Sequence, residues 1–222
     1  MSLATSSRRQ VGFSLLEVTV VIAVIGLLLA AMSVGAGLYR TATYSTISGQ
    51  YVRGWQMAYD SYLQRTGGVP GSTDDDGLID APSCNNGMLD EFLAAGVELP
   101  QGRAVGENDR YVYEDSNGNP QAIQVCMRPV ADWAVPGAST GNFVERPRNV
   151  LEFSQLTPSL ARHLDSRIDG RVDARFGRFR REGRHNTGSA QQWGLDDTDA
   201  MNGAQGDEAQ VATLTAYYVM RR

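Results

Sequence analysis

The sequence contains no lysine, so all 20 of its basic side chains are arginine. Without lysine, the chain has no Schiff-base lysine and no phosphate-binding lysine of the P-loop type. Histidine is scarce, with two residues, and the HExxH and GxSxG patterns of metalloproteases and α/β-hydrolases are absent. These absences exclude P-loop and lysine-dependent enzymes, and we expect the protein not to be an enzyme.

Cysteine is nearly as scarce, with only Cys84 and Cys126. The two residues are too far apart to form a CxxC motif, which excludes a zinc ribbon and a thioredoxin-like site. In a chain that is exported to an oxidising compartment, such a pair predicts one disulfide. That disulfide would stabilise the fold by about 4 kcal/mol in the chain-entropy model.

The N-terminal region contains the longest apolar run. Residues 1–12 are polar, include Arg8 and Arg9, and end in Gly12. The 22 residues from Val18 to Tyr39 then carry no charge. As a helix this run would be about 33 Å long, enough to cross the hydrocarbon core of a bilayer. Because the arginines precede it, we expect the rest of the chain to lie outside the cytoplasm.

Glu17 is the unusual residue of this region, because a carboxylate beside an apolar span is costly unless a cation pairs with it. Cleavage of the chain after Gly12 would create such a cation, the new α-amino group of Phe13. That amine would lie one helical turn from Glu17, or would reach Glu17 from a neighbouring chain.

Gly12 followed by Phe13-Ser14-Leu15-Leu16-Glu17 and an apolar helix resembles the class III leader of type IV pilins and type II secretion pseudopilins. The resemblance depends on three coinciding features: a basic leader, a Gly–Phe junction, and Glu at the fifth mature position. It implies cleavage between Gly12 and Phe13 by a prepilin peptidase, and N-methylation of Phe13. It also implies that Glu17 pairs with the Phe13 amine of the adjacent subunit during filament assembly.

Other interpretations of the N-terminus remain open. Ser7-Arg8-Arg9-Gln10 resembles the start of a twin-arginine signal, and Val34-Gly35-Ala36 could be a signal-peptidase site that would remove the helix. Neither interpretation explains Glu17. A single-pass anchored periplasmic binding protein that never polymerises is a further alternative, and it predicts an uncut Gly12–Phe13 bond.

The apolar helix also departs from the family pattern. Many major pilins and major pseudopilins have a proline about two-thirds along it, where this chain has Met32-Ser33-Val34-Gly35. The missing proline favours a minor pilin or a minor pseudopilin. We expect a minor pilin, with a type II secretion pseudopilin as the alternative.

The expected fold class is α+β and pilin-like. A long N-terminal helix, apolar in its N-terminal half, would pack against an antiparallel sheet. We expect a leader at 1–12, a transmembrane and filament-core helix at 13–40, and a globular head at 41–222 that includes the amphipathic half of the helix. A mainly aromatic stripe at helical spacing supports a helix to about Arg65. We call it the aromatic stripe; it comprises Ile47, Tyr51, Trp55, Tyr59 and Tyr62.

Shorter elements are predicted within the head. A helix is expected near 89–95, and a second over 159–168, after the Thr157-Pro158 start signal. Strands are expected at 110–114 and 121–127 around a turn at 115–119, then at 149–153 and within 211–220.

Two acidic clusters are candidate calcium sites: Asp74 and Asp76 in one, Asp197 and Asp199 in the other. Neither has the ligand spacing of an EF-hand. We therefore expect solvated turns and no bound cofactor.

The segment Arg162–Arg184 has eight arginines against four acids, with Phe176 and Phe179 among them. Such a segment is a candidate contact for DNA, although the net charge of −5 gives no general attraction to nucleic acid. A solvated face or salt bridges between subunits is the interpretation we favour.

The resemblance implies three partners: other pilin subunits, the prepilin peptidase and N-methyltransferase, and the inner membrane before assembly. The expected location is the inner membrane of a bacterium, followed by a cell-surface or periplasmic filament.

Overall fold

The computed structural model describes residues 14–74, 76–103, 108–139, 141–194, 197 and 211–221. The chain divides into two compact units, Met1–Ala42 and Thr43–Arg222. Helix α1, Leu15–Thr46, provides the described structure of the first unit. We call the second unit the head.

The helical part of the head departs from one uninterrupted α-helix. After α1, a π-helical segment at Ile47–Val52 precedes helix α2 at Arg53–Thr66. Residues four apart on an α-helix drift by about 40° around its axis at each step. A π-helix has i→i+5 hydrogen bonds and turns less per residue, which offsets this drift. Ile47, Tyr51, Trp55 and Tyr59 are consequently all fully buried.

One antiparallel sheet forms the rest of the framework, in the order β1-β3-β4-β6-β5, with β2 paired to β3. Its strands are β1 Ser83–Cys84, β2 Arg110–Glu114, β3 Pro120–Pro136, β4 Phe143–Leu156, β5 Phe179–Arg181 and β6 Leu214–Val219. This arrangement confirms the α+β class with an antiparallel sheet. Strands β3 and β4 are much longer than the short strands predicted at 121–127 and 149–153.

Two further helices pack in the head, α3 at Asn85–Ala94 and α4 at Pro158–Asp169. The start signal of α4 acts as predicted: the Thr157 hydroxyl accepts a hydrogen bond from the Leu160 N–H at 3.3 Å. Helix α4 ends at Gly170, whose φ of 74° suits glycine.

The core of the head joins the aromatic stripe to the sheet and to α4. Trp55 lies edge-on to Phe92, with 5.9 Å between ring centroids. The inward face of β6 completes the core with Leu214, Ala216 and Tyr218.

Across the described ranges, no helix meets the length and hydropathy needed to cross a membrane. The apolar, membrane-spanning N-terminal half of the predicted helix is therefore not confirmed.

Candidate assembly site

A serine caps the start of α1. The Ser14 hydroxyl accepts a hydrogen bond from the Glu17 N–H at 3.2 Å, as an N-cap serine does. Glu17 therefore lies in the first helical turn, where a negative charge is favourable next to the free N–H groups. Its side chain is exposed to solvent. The predicted processing residues Gly12 and Phe13 lie outside the described residues.

The helix after Glu17 exposes apolar side chains around its whole circumference. Leu15 is 84% exposed and Leu27 is 73% exposed. A helix that is apolar on all sides is normally buried, either in a protein core or in a membrane. Large contiguous apolar patches are rare on the surfaces of soluble monomers and often mark interaction sites. Between Ser14 and Tyr39 this surface has a single charged residue, Glu17.

The disulfide links two strands at the edge of the head. Cys84 in β1 lies directly opposite Cys126 in β3, with 4.5 Å between their Cα atoms, and the two sulfurs are bonded. The structure thus contains the disulfide that the cysteine count predicts.

Three of the four aspartates named as candidate calcium ligands lie within the described residues. Asp74 and Asp76 are exposed, and Asp76 Oδ1 accepts a hydrogen bond from the Leu78 N–H at 2.6 Å. Asp197 is buried and accepts from the Ser159 N–H at 2.7 Å, at the start of α4. Asp199 lies outside the described residues. Where the structure describes the chain, no group of three or more His, Cys, Asp or Glu side chains could hold a metal ion.

The arginine-rich segment is partly an interior structure. Arg175 is fully buried, and its guanidinium packs against two rings, 4.2 Å from the centroid of Phe143 and 4.4 Å from that of Phe176. Burial lowers the pKa of Arg175. Cation–π contacts of this kind are strongest when they are shielded from water.

Arg180 is the second buried arginine of the segment. Its guanidinium donates to the carbonyls of Ala134 and His185, at 2.8 and 3.0 Å, and lies 4.1 Å from the centroid of the Trp133 ring. Burial, with a smaller contribution from the charge of Arg175, lowers the pKa of Arg180 to about 10. Neither Arg175 nor Arg180 is therefore part of an exposed patch.

Three aspartates of this segment organise its backbone. Asp165 accepts hydrogen bonds from the Trp193 indole and the Asp173 N–H, both at 2.7 Å. Asp169 accepts from two backbone N–H groups at 2.9 Å, and Asp173 Oδ1 accepts from the Arg175 N–H at 2.9 Å. Sequence reasoning missed this role, although the four-residue spacing of the three aspartates was a usable signal.

Asp165 is the most perturbed of these carboxyl groups. Burial raises its pKa to about 7, against the opposing effect of its hydrogen bonds from Trp193 and Asp173, and the neighbouring Asp169 adds to the rise. A protonated carboxyl group can thus persist near neutral pH in the centre of the head.

His185 and Asp132 form the pair that most resembles catalytic machinery, with 3.0 Å between His185 Nε2 and Asp132 Oδ1. A catalytic His–carboxylate pair needs a nucleophile at the other ring nitrogen. Here Nδ1 is buried and has no hydrogen-bond partner among the described residues, while the ring stacks on Trp133. This geometry fits a structural role.

Comparison with known proteins gives one match, at the N-terminus. The model of the prokaryotic N-terminal methylation motif matches residues 7–33. No curated protein and no solved structure matches the chain. The matched residues include the Gly12–Phe13 junction, Glu17 and the first turns of α1. The chain therefore carries the prokaryotic N-terminal methylation motif, which is the signature of type IV pilins and pseudopilins.

Proposed function

We propose that the protein is a structural subunit of a type IV pilus-like filament, and more specifically a minor pilin. One observation carries this proposal: the methylation motif coincides with an exposed, apolar helix in which Glu17 is the only charged residue before Arg40. Prepilin peptidase cleaves the Gly12–Phe13 bond, the new N-terminus is methylated, and the helix then polymerises.

The chemistry of the helix explains the assembly step. Its apolar side chains are covered by lipid in the inner membrane before assembly and by neighbouring helices in the filament afterwards. Relative to exposure to water, each large side chain that is covered in either setting contributes about 1.5–3 kcal/mol. Burial alone does not fix how far one helix slides along another.

Glu17 supplies the axial register. Its carboxylate pairs with the methylated Phe13 amine of the adjacent subunit, and a shifted register would leave both charges buried without a partner. The cost of breaking such a pair is about 3–5 kcal/mol. The filament therefore assembles in one register.

Type II secretion pseudopilins share this processing and assembly chemistry and are the second candidate. The absence of proline from Met32–Gly35 fits a minor component in either system. Deletion of the gene distinguishes the two, because a pseudopilin is needed for protein secretion and a minor pilin for surface filaments.

N-terminal sequencing and intact mass of the chain from sheared filaments test the processing step. We expect a chain that begins at methylated Phe13. A chain that begins at Met1 in cells with active prepilin peptidase would contradict the proposal and indicate a plain membrane anchor. A chain that begins after Ala36 would indicate a secreted soluble domain.

Glu17→Ala tests the assembly step, with Thr19→Ala as a matched control on the same exposed helix. Both variants should insert and be cleaved normally. Glu17→Ala should reduce the amount of subunit in the sheared fraction at least about tenfold, because the ion pair is lost. The Thr19 hydroxyl donates to the Leu16 carbonyl of its own helix and carries no charge, so Thr19→Ala should assemble like the wild type. Normal assembly of Glu17→Ala would refute the register mechanism.

A further inference from the structure

The head contains an open cleft of about 610 Å³ that is lined by cations and hydroxyl groups. Arg53, Arg167 and Arg178 contribute the charges, Ser45 and Ser48 the hydroxyls, and Gln56 an amide; we call this space the basic cleft. Its three arginines are exposed to solvent, and its lining contains no Asp or Glu.

The polar groups of the basic cleft are mainly hydrogen-bond donors. The carbonyl oxygen of Gln56 accepts from the Tyr218 hydroxyl at 2.8 Å, which leaves the amide NH₂ of Gln56 for another acceptor. The guanidinium of Arg178 lies 5.0 Å from the centre of the Tyr218 ring. Asp60 and Asp169 are the carboxylates that act on Tyr218 from outside the lining, and Asp169 already accepts from the Arg178 and Phe179 N–H groups.

A second cleft, of about 410 Å³, adjoins the first and shares Arg178 with it. Arg148 and Arg221 supply two more cations there, beside Trp133, and again no acid lines the space. Five arginines thus line two adjoining clefts in a protein whose net charge is −5. The positive charge is thus concentrated at these clefts, although the chain as a whole is acidic.

One wall of the basic cleft is the π-helical segment, which contributes Ser48, Gly49 and Val52. Segments of π-helix are rare and are found frequently at functional sites. Here the segment keeps Ile47 and Tyr51 in the core while Ser48 and Gly49 line the cleft.

We propose that the basic cleft binds the phosphate headgroups of anionic phospholipids while the precursor is anchored in the membrane. Guanidinium groups bind phosphate oxygens in a bidentate manner, and hydroxyl and amide donors add to this. The lining residue Ser45 follows Tyr39, the end of the uncharged run, by six residues. Even a fully extended chain would place Ser45 within about 20 Å of Tyr39. The proposal rests on the proposed function only for the anchoring of the chain.

Full-length protein in lipid nanodiscs tests the inference. One set of discs contains phosphatidylcholine alone, and the other contains phosphatidylcholine and phosphatidylglycerol in equal amounts. The unfolding midpoint of the head is followed by tryptophan fluorescence, because all three tryptophans, Trp55, Trp133 and Trp193, lie in the head. Occupancy at tenfold the dissociation constant should raise the midpoint by roughly 3–6 °C in the anionic discs.

Two triple variants give matched controls for charge. Arg53→Gln/Arg167→Gln/Arg178→Gln removes the cations of the basic cleft and should abolish the difference between the two kinds of disc. Replacement of three exposed arginines elsewhere, Arg146, Arg171 and Arg184, by Gln lowers the net charge equally and should leave the difference intact. Equal loss in both triple variants, or no loss in the first, would overturn the proposal.

Additions to the phosphatidylcholine discs identify the source of the phosphate. Inorganic phosphate that raises the midpoint as much as phosphatidylglycerol does, at an ionic strength matched with sodium chloride, would assign the cleft to a free anion and overturn the lipid source. A rise with a single-stranded oligonucleotide and none with phosphatidylglycerol would assign it to nucleic acid. Failure of the chain to co-elute with any disc would contradict the proposed anchoring, and it is recognised separately from loss of headgroup binding.

Discussion

Helix α1 and the head use apolar side chains in opposite ways. Residues of α1 such as Leu28 are exposed, whereas the aromatic stripe of the head, which includes Trp55, is buried against the sheet and α4. The head thus completes its own core, whereas the described apolar side chains of the first unit are exposed. One chain therefore contains a self-sufficient fold and an element whose stability depends on its surroundings.

Truncation of a large side chain in each region gives the largest expected contrast. Trp55→Ala should lower the free energy of unfolding of the head by about 3–5 kcal/mol, because it leaves a cavity beside Phe92. Leu28→Ala shortens an apolar side chain that is 53% exposed, and it should change the free energy of unfolding of the head by less than about 0.5 kcal/mol. Urea unfolding of the full chain in detergent, followed by the fluorescence of the remaining tryptophans, measures both. A similar loss of unfolding free energy in the two variants would show that the stability of the head also depends on the side chains of α1.

Features that depend on residues close together in the sequence could be predicted from it. The methylation motif at 7–33 is local, and so are the start signal of α4 at Thr157 and the strand at Arg110–Glu114. Each depends on neighbouring residues, and each was predicted. The spacing of the aromatic stripe was equally informative, since four of its five members are fully buried.

Features that depend on tertiary contacts were not predicted. Strands β3 and β4 continue through Pro129 and Pro147, residues that argue locally against a strand interior. They continue because the two strands pair along their length, with a register shift between Val130 and Trp133. The burial of Arg175 could not be predicted either, because its guanidinium is shielded by Phe143, a residue distant in sequence.

Removal of the disulfide is the next largest change, and it concerns the head alone. Cys84→Ser/Cys126→Ser should lower the free energy of unfolding by about 2–4 kcal/mol. Thiol reduction of the wild type should lower its urea midpoint to that of the double variant. The same reduction should not change the midpoint of the double variant. Cleavage at Gly12–Phe13 should be normal in the variant, because that junction is far from the disulfide in sequence. An unchanged midpoint would show that the bond adds no stability.

The smallest expected effect concerns Asp165, a buried carboxyl group on α4. Asp165→Ala leaves the Trp193 indole and the Asp173 N–H without their acceptor and should cost about 1–3 kcal/mol. Asp165→Asn retains one oxygen that can accept both hydrogen bonds, and it cannot ionise. The pair of variants separates the hydrogen-bonding role of Asp165 from its charge.

The pH dependence of the Asn variant follows from the direction of the pKa shift. The pKa of Asp165 is about 7 in the folded head, mainly through burial, and about 4 for an aspartate in an unfolded chain. The folded state therefore binds this proton more tightly, and Asp165 stabilises the head increasingly as the pH falls from about 7 towards 4. Asp165→Asn lacks that gain, because a side-chain amide does not take up this proton. Relative to the wild type, the variant should be most stable at pH 8 and should lose this advantage by pH 5. Urea unfolding at the two pH values measures this difference. An equal difference in stability between the variant and the wild type at both values would show that Asp165 is ionised throughout. The head would then tolerate a buried negative charge, whereas α1 exposes its negative charge at Glu17.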